Sequence, residues 1–132
     1  MKKVLFVCVE NSCRSQIAEG LARKLGAGVV EPASAGSTPS GKVHPTAVEL
    51  MKERGIDISA QKSKAIADLP SEGWDYVVTM GCGDACPFVP ARAKADWDIP
   101  DPKHMPREEF REVIGRIEER VTQLIHEVIA RG

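Results

Sequence analysis

The stretch Val4-Leu5-Phe6-Val7-Cys8-Val9-Glu10-Asn11-Ser12-Cys13-Arg14-Ser15-Gln16-Ile17-Ala18-Glu19-Gly20-Leu21-Ala22-Arg23-Lys24-Leu25 decides the fold. It opens on a short apolar run rich in β-branched and aromatic residues, as a strand buried on both faces would be. From Gln16 the apolar residues 17, 18, 21, 22 and 25 recur at helical spacing and stop at Gly26. Between the two lies the segment Cys8 to Ser15, so the order is strand, loop, helix.

Working outward, Val29 to Ala35 reads as a second strand whose Pro32 argues for an edge position, and Gly36 to Gly41 as loop. His44-Pro45 opens a helix that Gly55 closes, and a weaker helical pattern runs from Ser63 to Leu69. Asp75 to Met80 is the next strand, followed by the loop Gly81-Cys82-Gly83-Asp84-Ala85-Cys86-Pro87. Ala95 to Ile99 reads as a short last strand and Pro100-Asp101-Pro102 as a turn. From Arg107, residues Phe110, Val113, Ile114, Ile117, Val121, Leu124, Ile125 and Val128 hold one face of a long closing helix. Strands alternating with helices imply parallel pairing with right-handed crossovers in one doubly wound α/β domain over residues 1–132. Ligands of such sheets bind beyond the strands' C-terminal ends, where Cys8, Cys82 and Asp101 all fall.

Bulk composition narrows the partners. With 42% apolar and 28% charged residues and a formal charge of −1, the chain has no electrostatic reason to bind nucleic acid or an anionic membrane. No apolar run approaches the ~20 residues that span a bilayer, and Val4 to Val9 is too short for a signal peptide. Four cysteines in such a chain are better read as reduced thiols of a cytoplasmic protein than as a disulfide framework.

The cysteine loop carries the chemistry. Between a strand end and a helix N-terminus, the backbone N–H groups of Val9, Glu10, Asn11, Ser12 and Cys13 can converge with the helix dipole into an anion nest. The same field stabilises a thiolate, the nucleophilic form of Cys8. Arg14 offers a planar fork for an oxyanion and Ser15 a hydrogen bond to the thiolate when it departs as leaving group. A lone cysteine and arginine would read as a buried strand end and a surface charge; Asn11, Ser12 and Ser15 in this strand–loop–helix setting outweigh that reading.

Cys8 to Ser15 resembles the phosphate-binding loop of low-molecular-weight protein tyrosine phosphatases, and Asp101-Pro102 resembles their acid-bearing turn. Within that superfamily, residues 11 to 16 and Val78-Thr79-Met80-Gly81-Cys82-Gly83-Asp84-Ala85-Cys86-Pro87 are more similar to the arsenate reductases of this fold. The resemblance runs nearly end to end and implies a three-layer α/β/α sandwich with strand order 2-1-3-4. It also implies a reaction: Cys8 attacks arsenate held by Arg14 and the loop amides, and Asp101 protonates the departing oxygen. Cys82 then attacks Cys8 and releases arsenite, and Cys86 draws the disulfide outward to Cys82–Cys86 for thioredoxin to reduce. The segment between Cys82 and Cys86 is shorter than in some members, which keeps a glutathione and glutaredoxin route open. No bound cofactor is implied.

Alternatives attach to several residues. Cys82 and Cys86 could be half a zinc site, but no familiar ligand spacing completes it. Asp98 competes with Asp101 as the acid, Cys13 carries no necessary role, and the three histidines and two tryptophans read as capping, surface or packing residues. Some related reductases bind potassium through positions that fall at Asn11, Glu19, Ser34 and an aspartate, where this chain has Lys64; its ammonium would repel the cation and pair with Glu19, so no metal is expected. Glu10 stands where many relatives carry glycine and adds negative charge beside an anion site. A phosphatase acting on phosphotyrosine or small phosphomonoesters and a non-catalytic arsenite-binding thiol protein are the competing functions. Small size and balanced charge favour a monomer.

Overall fold

The apolar run near the amino terminus forms β1, Lys2–Cys8, an interior strand of a four-stranded parallel sheet. The computed structural model describes residues 1–81 and 89–131, so Cys82 and Cys86 lie outside the described residues. Around β1 stand β2 (Val30–Gly36), β3 (Trp74–Thr79) and β4 (Ala91–Asp96), in the expected order β2-β1-β3-β4. The helices are α1 (Arg14–Leu25), α2 (Pro45–Glu53) and α3 (Arg107–Arg131).

Alternation along β1 divides the core in two. Val4, Phe6 and Cys8 join the apolar residues of α1, α2 and α3 on one face, while Leu5 and Val7 meet Ala35, Trp74, Val77 and Val89 on the other. Phe6 and Ile17 are wholly buried, and each such side chain stabilises the fold by about 1.5–3 kcal/mol. They fix both ends of the cysteine loop. Pro32 falls on β2 at the edge of the sheet, and since Val29 faces β1 and Gly36 turns its N–H away to the Lys64 carbonyl, the missing N–H of Pro32 costs no bond to β1.

Two expectations need correction. Ser63 to Leu69 holds only a 3₁₀ turn, Ile66–Asp68. Its backbone is engaged elsewhere: the Lys64 N–H donates to Asn11 Oδ1 and the Lys64 carbonyl accepts from Gly36. Pro70 then forces Leu69 into an extended conformation, ψ 162°. Ile66 and Leu69 cover the second sheet face beside Trp74. The last strand also starts four residues early, at Ala91 rather than Ala95, and ends at Asp96. Its alternation of alanine with Arg92, Lys94 and Asp96 suits a half-exposed edge strand and carries little apolar signal. Trp97 and Ile99 follow it as buried anchors, and Trp97 packs tilted against Phe6 at 5.8 Å.

His44 begins α2 as a cap: its Nδ1 accepts from the Thr46 N–H at 3.1 Å, and its own N–H donates to the Ser12 carbonyl. Among the described residues, no helix is long and apolar enough to cross a membrane.

Candidate active site

At the C-terminal end of β1 the chain turns through Asn11, which sits at φ +51°, a left-handed conformation that asparagine tolerates better than most residues. The turn comes so close to β2 that a Cβ on Gly36 would lie 2.5 Å from the Val9 carbonyl oxygen. Cys13 precedes α1 without capping it through its side chain, and no acidic residue stands in the first turn. The first N–H groups of that turn, which a helix leaves without an intrahelical partner, therefore keep their preference for an anion.

Cys8 Sγ is buried, 2.8 Å from Ser15 Oγ, and accepts from the Asn11 N–H at 3.3 Å. The Asn11 side-chain amide donates to Ser15 Oγ at 2.7 Å. Asn11 is itself held by Gln16 and by the Lys64 N–H, both donating to its Oδ1 at 2.9 Å, and Gln61 donates to Gln16 Oε1. Gln16 is fully buried. It was not among the expected site residues, although a polar side chain in the first turn of α1, directly before the buried Ile17 and Ala18, is a signal that it faces a polar network.

Arg14 donates to the Ile99 carbonyl at 3.0 Å and lies 4.0 Å from Asp101 Oδ2. Gly81, at φ +71°, leaves room for the guanidinium: a Cβ there would stand 2.8 Å from Arg14 Nη1. Cys8, Val9, Glu10, Ser12, Cys13, Arg14, Asp101 and Lys103 line a hollow of about 20 Å³. Asp98 is exposed and is not part of that lining. Cys13 is pushed up to about 12, first by burial and then by the negative charges of Asp101 and Cys8.

Glu10 and Lys103 both line the hollow and pair with each other, both carboxylate oxygens accepting from Lys103 Nζ at 2.8 Å. Below the loop, Glu19 Oε1 accepts from Ser34 Oγ at 2.5 Å and lies 3.7 Å from Lys64 Nζ, while Arg23 donates to Oε2. The Lys64–Glu19 pair was foreseen; the Arg23 contact was not.

Residues 3–131 match the model of the low molecular weight phosphotyrosine protein phosphatase family. The chain belongs to that family. A glutaredoxin arsenate reductase from Synechocystis is 46% identical over 97% of this chain and 99% of its own length. A solved structure described as an arsenate reductase in the phosphate binding state superposes with a TM-score of 0.89 at 44% identity, covering 97% of this chain and 99% of its own. A thioredoxin-dependent arsenate reductase from Corynebacterium glutamicum superposes with a TM-score of 0.82 at 36% identity, over all of this chain and 64% of its own. Members of the family thus include arsenate reductases that resemble this chain from end to end.

Proposed function

We propose that the chain is an arsenate reductase whose nucleophile is Cys8. The observation that carries this reading is the hollow in which a buried Cys8 Sγ contacts the Asn11 N–H and Ser15 Oγ beside Arg14 and Asp101. The relatives favour reduction over phosphate ester hydrolysis, since relatives 42% and 46% identical to this chain are named for it.

In the proposed reaction Cys8 Sγ attacks arsenic and an As–O bond breaks. Asp101 gives its proton to the departing oxygen, which leaves as water, while Arg14 and the loop amides hold the remaining oxygens. The product is a Cys8 thioester of arsenate. Cys82 then attacks Cys8 Sγ, the electron pair of the S–As bond goes to arsenic, and arsenite leaves as a Cys8–Cys82 disulfide forms. Gly81, the residue before Cys82, lies against the Arg14 guanidinium, which supports Cys82 as the resolving thiol. Cys86 attacks Cys82 in turn, freeing Cys8 and leaving Cys82–Cys86 for an external dithiol. We place thioredoxin and glutaredoxin as the two candidates for that reductant, both of which occur among the names of the relatives. The enzyme acts in the cytoplasm as a monomer in this proposal, with no bound cofactor.

The test is arsenate-dependent NADPH consumption, coupled through thioredoxin and its reductase in one arm and through glutathione, glutathione reductase and glutaredoxin in the other. Wild type turns over in at least one arm, and Cys8→Ser, Cys82→Ser and Cys86→Ser each abolish turnover in that arm. Silence in both arms, with Cys8-dependent hydrolysis of a phosphomonoester intact, would replace the reductase with a phosphatase.

A further inference from the structure

A carboxylate on the rim of an anion site needs an explanation. Glu10 lies within the loop that surrounds Cys8, and uncompensated it would repel every oxyanion approaching the hollow. Lys103 compensates it through two bonds of 2.8 Å, one to each carboxylate oxygen. The pair also joins two separate parts of the chain. Glu10 follows β1, whereas Lys103 belongs to the turn that carries Asp101, and the Lys103 N–H donates to Asp101 Oδ1 at 3.1 Å. Both side chains line the hollow and both are about one-third exposed, 35% for Glu10 and 37% for Lys103, so they stand where the hollow opens to solvent.

We propose that Glu10 and Lys103 form a clasp across the mouth of the Cys8 hollow and select free tetrahedral oxyanions over esters that carry an aryl group. This rests on the reading of Cys8 as the oxyanion-binding nucleophile. An aryl group on an anion bound with its oxygens toward Cys8 and Arg14 must extend outward past Glu10 and Lys103, the partly exposed pair that lines the hollow. Arsenate or phosphate carries nothing beyond its oxygens and leaves the clasp closed. An exposed ion pair is weak in water and opens often enough to admit a small anion. A bound aryl ester must instead hold it open for as long as it stays, losing both bonds and leaving Glu10 uncompensated beside a second negative charge.

The experiment measures protection of Cys8 from iodoacetamide, in a chain carrying Cys82→Ser and Cys86→Ser, by inorganic phosphate and by phenylphosphonate at a pH where both are dianions. No reductant enters the assay. Glu10→Ala and Lys103→Ala change the local charge in opposite directions, so a purely electrostatic role shifts the affinities for both anions together and in opposite senses in the two variants. The clasp instead requires both variants to improve phenylphosphonate relative to phosphate by threefold or more. It also requires the exchanged pair, Glu10→Lys with Lys103→Glu, to move that ratio back toward wild type. A ratio that changes by less than threefold in either single variant overturns the clasp while leaving Cys8 as the anion-binding thiol. If neither anion protects Cys8 in the wild-type site, the underlying reading of Cys8 falls and the clasp with it.

Discussion

The side-chain amide of Asn11 donates to Ser15 Oγ over 2.7 Å, and Ser15 Oγ in turn lies 2.8 Å from Cys8 Sγ. Either atom of the second pair can be the donor, and a sulfur that attacks or leaves without its proton takes the hydrogen bond of the hydroxyl.

Ser15→Ala removes that donor and leaves the Asn11 amide unpaired. Loss of one partner of a buried bond costs about 1–3 kcal/mol, and the fully buried position of Ser15 places it within that range. Urea unfolding is expected to show the loss, and single-turnover arsenate reduction to slow by about ten- to a hundredfold, a factor of ten for each 1.4 kcal/mol of barrier. Unchanged single-turnover rates with the stability loss present would confine Ser15 to a structural role.

Gly81→Ala is expected to damage anion binding without touching an anion ligand. Its Cβ would stand 2.8 Å from Arg14 Nη1, and φ +71° is costly for alanine. The guanidinium must shift away from its bond to the Ile99 carbonyl. The expected result is a KM for arsenate raised several-fold, with a lesser change in kcat. Isothermal titration of inorganic phosphate provides a check independent of turnover, and unchanged phosphate affinity would refute the dependence of Arg14 on Gly81.

Much of this site was legible in the sequence because its spacing is local. Cys8 ends a strand, Asn11 lies in the loop after it and Arg14 and Ser15 open the next helix, and patterning alone identified both of those elements. The apolar repeat from Phe110 to Val128 likewise became α3. Harder to read was whatever depends on distant backbone. Nothing in Ser63 to Leu69 reveals that Lys64 bonds Asn11 and Gly36 and thereby prevents a helix. The alternation of Ala91 to Asp96 pairs small residues with charges, so it offers little apolar contrast to mark an edge strand. Gly36 and Gly81 act through close approach to residues far away in sequence, and the Glu10–Lys103 pair spans the two ends of the site in the same way.

Cys13 should be the unreactive thiol of the loop. Its value is pushed up to about 12 from an ordinary 9.0, chiefly by burial, so the fold favours its protonated form. The unfolded chain releases this proton near 9.0 and the folded chain only near 12, so stability supplied at lower pH falls progressively across that window. Iodoacetamide at neutral pH is expected to label Cys8 and spare Cys13 in a chain lacking Cys82 and Cys86, read by peptide mass spectrometry. Cys13→Ala should flatten the alkaline fall in urea stability. Equal labelling of both thiols would contradict the raised value of Cys13.

Asp101 and Asp98 divide most sharply under substitution. Asp101 lines the hollow at 4.0 Å from Arg14, with Oδ1 accepting from the Lys103 N–H, whereas Asp98 is exposed and outside the lining. An acid that protonates the departing oxygen contributes typically about 10²–10⁴-fold to the rate. Asp101→Asn keeps the shape and removes the proton, so the rate of adduct formation should fall within that range. Anion affinity should hold or rise, because a negative charge near Arg14 has gone. Asp98→Asn should leave both quantities within about twofold of wild type, as a surface substitution far from such features usually does. The discriminating measurement is the rate of Cys8 adduct formation in the two variants at one pH. If that rate holds in Asp101→Asn and falls in Asp98→Asn, the proton comes from Asp98 and the turn must rearrange to deliver it.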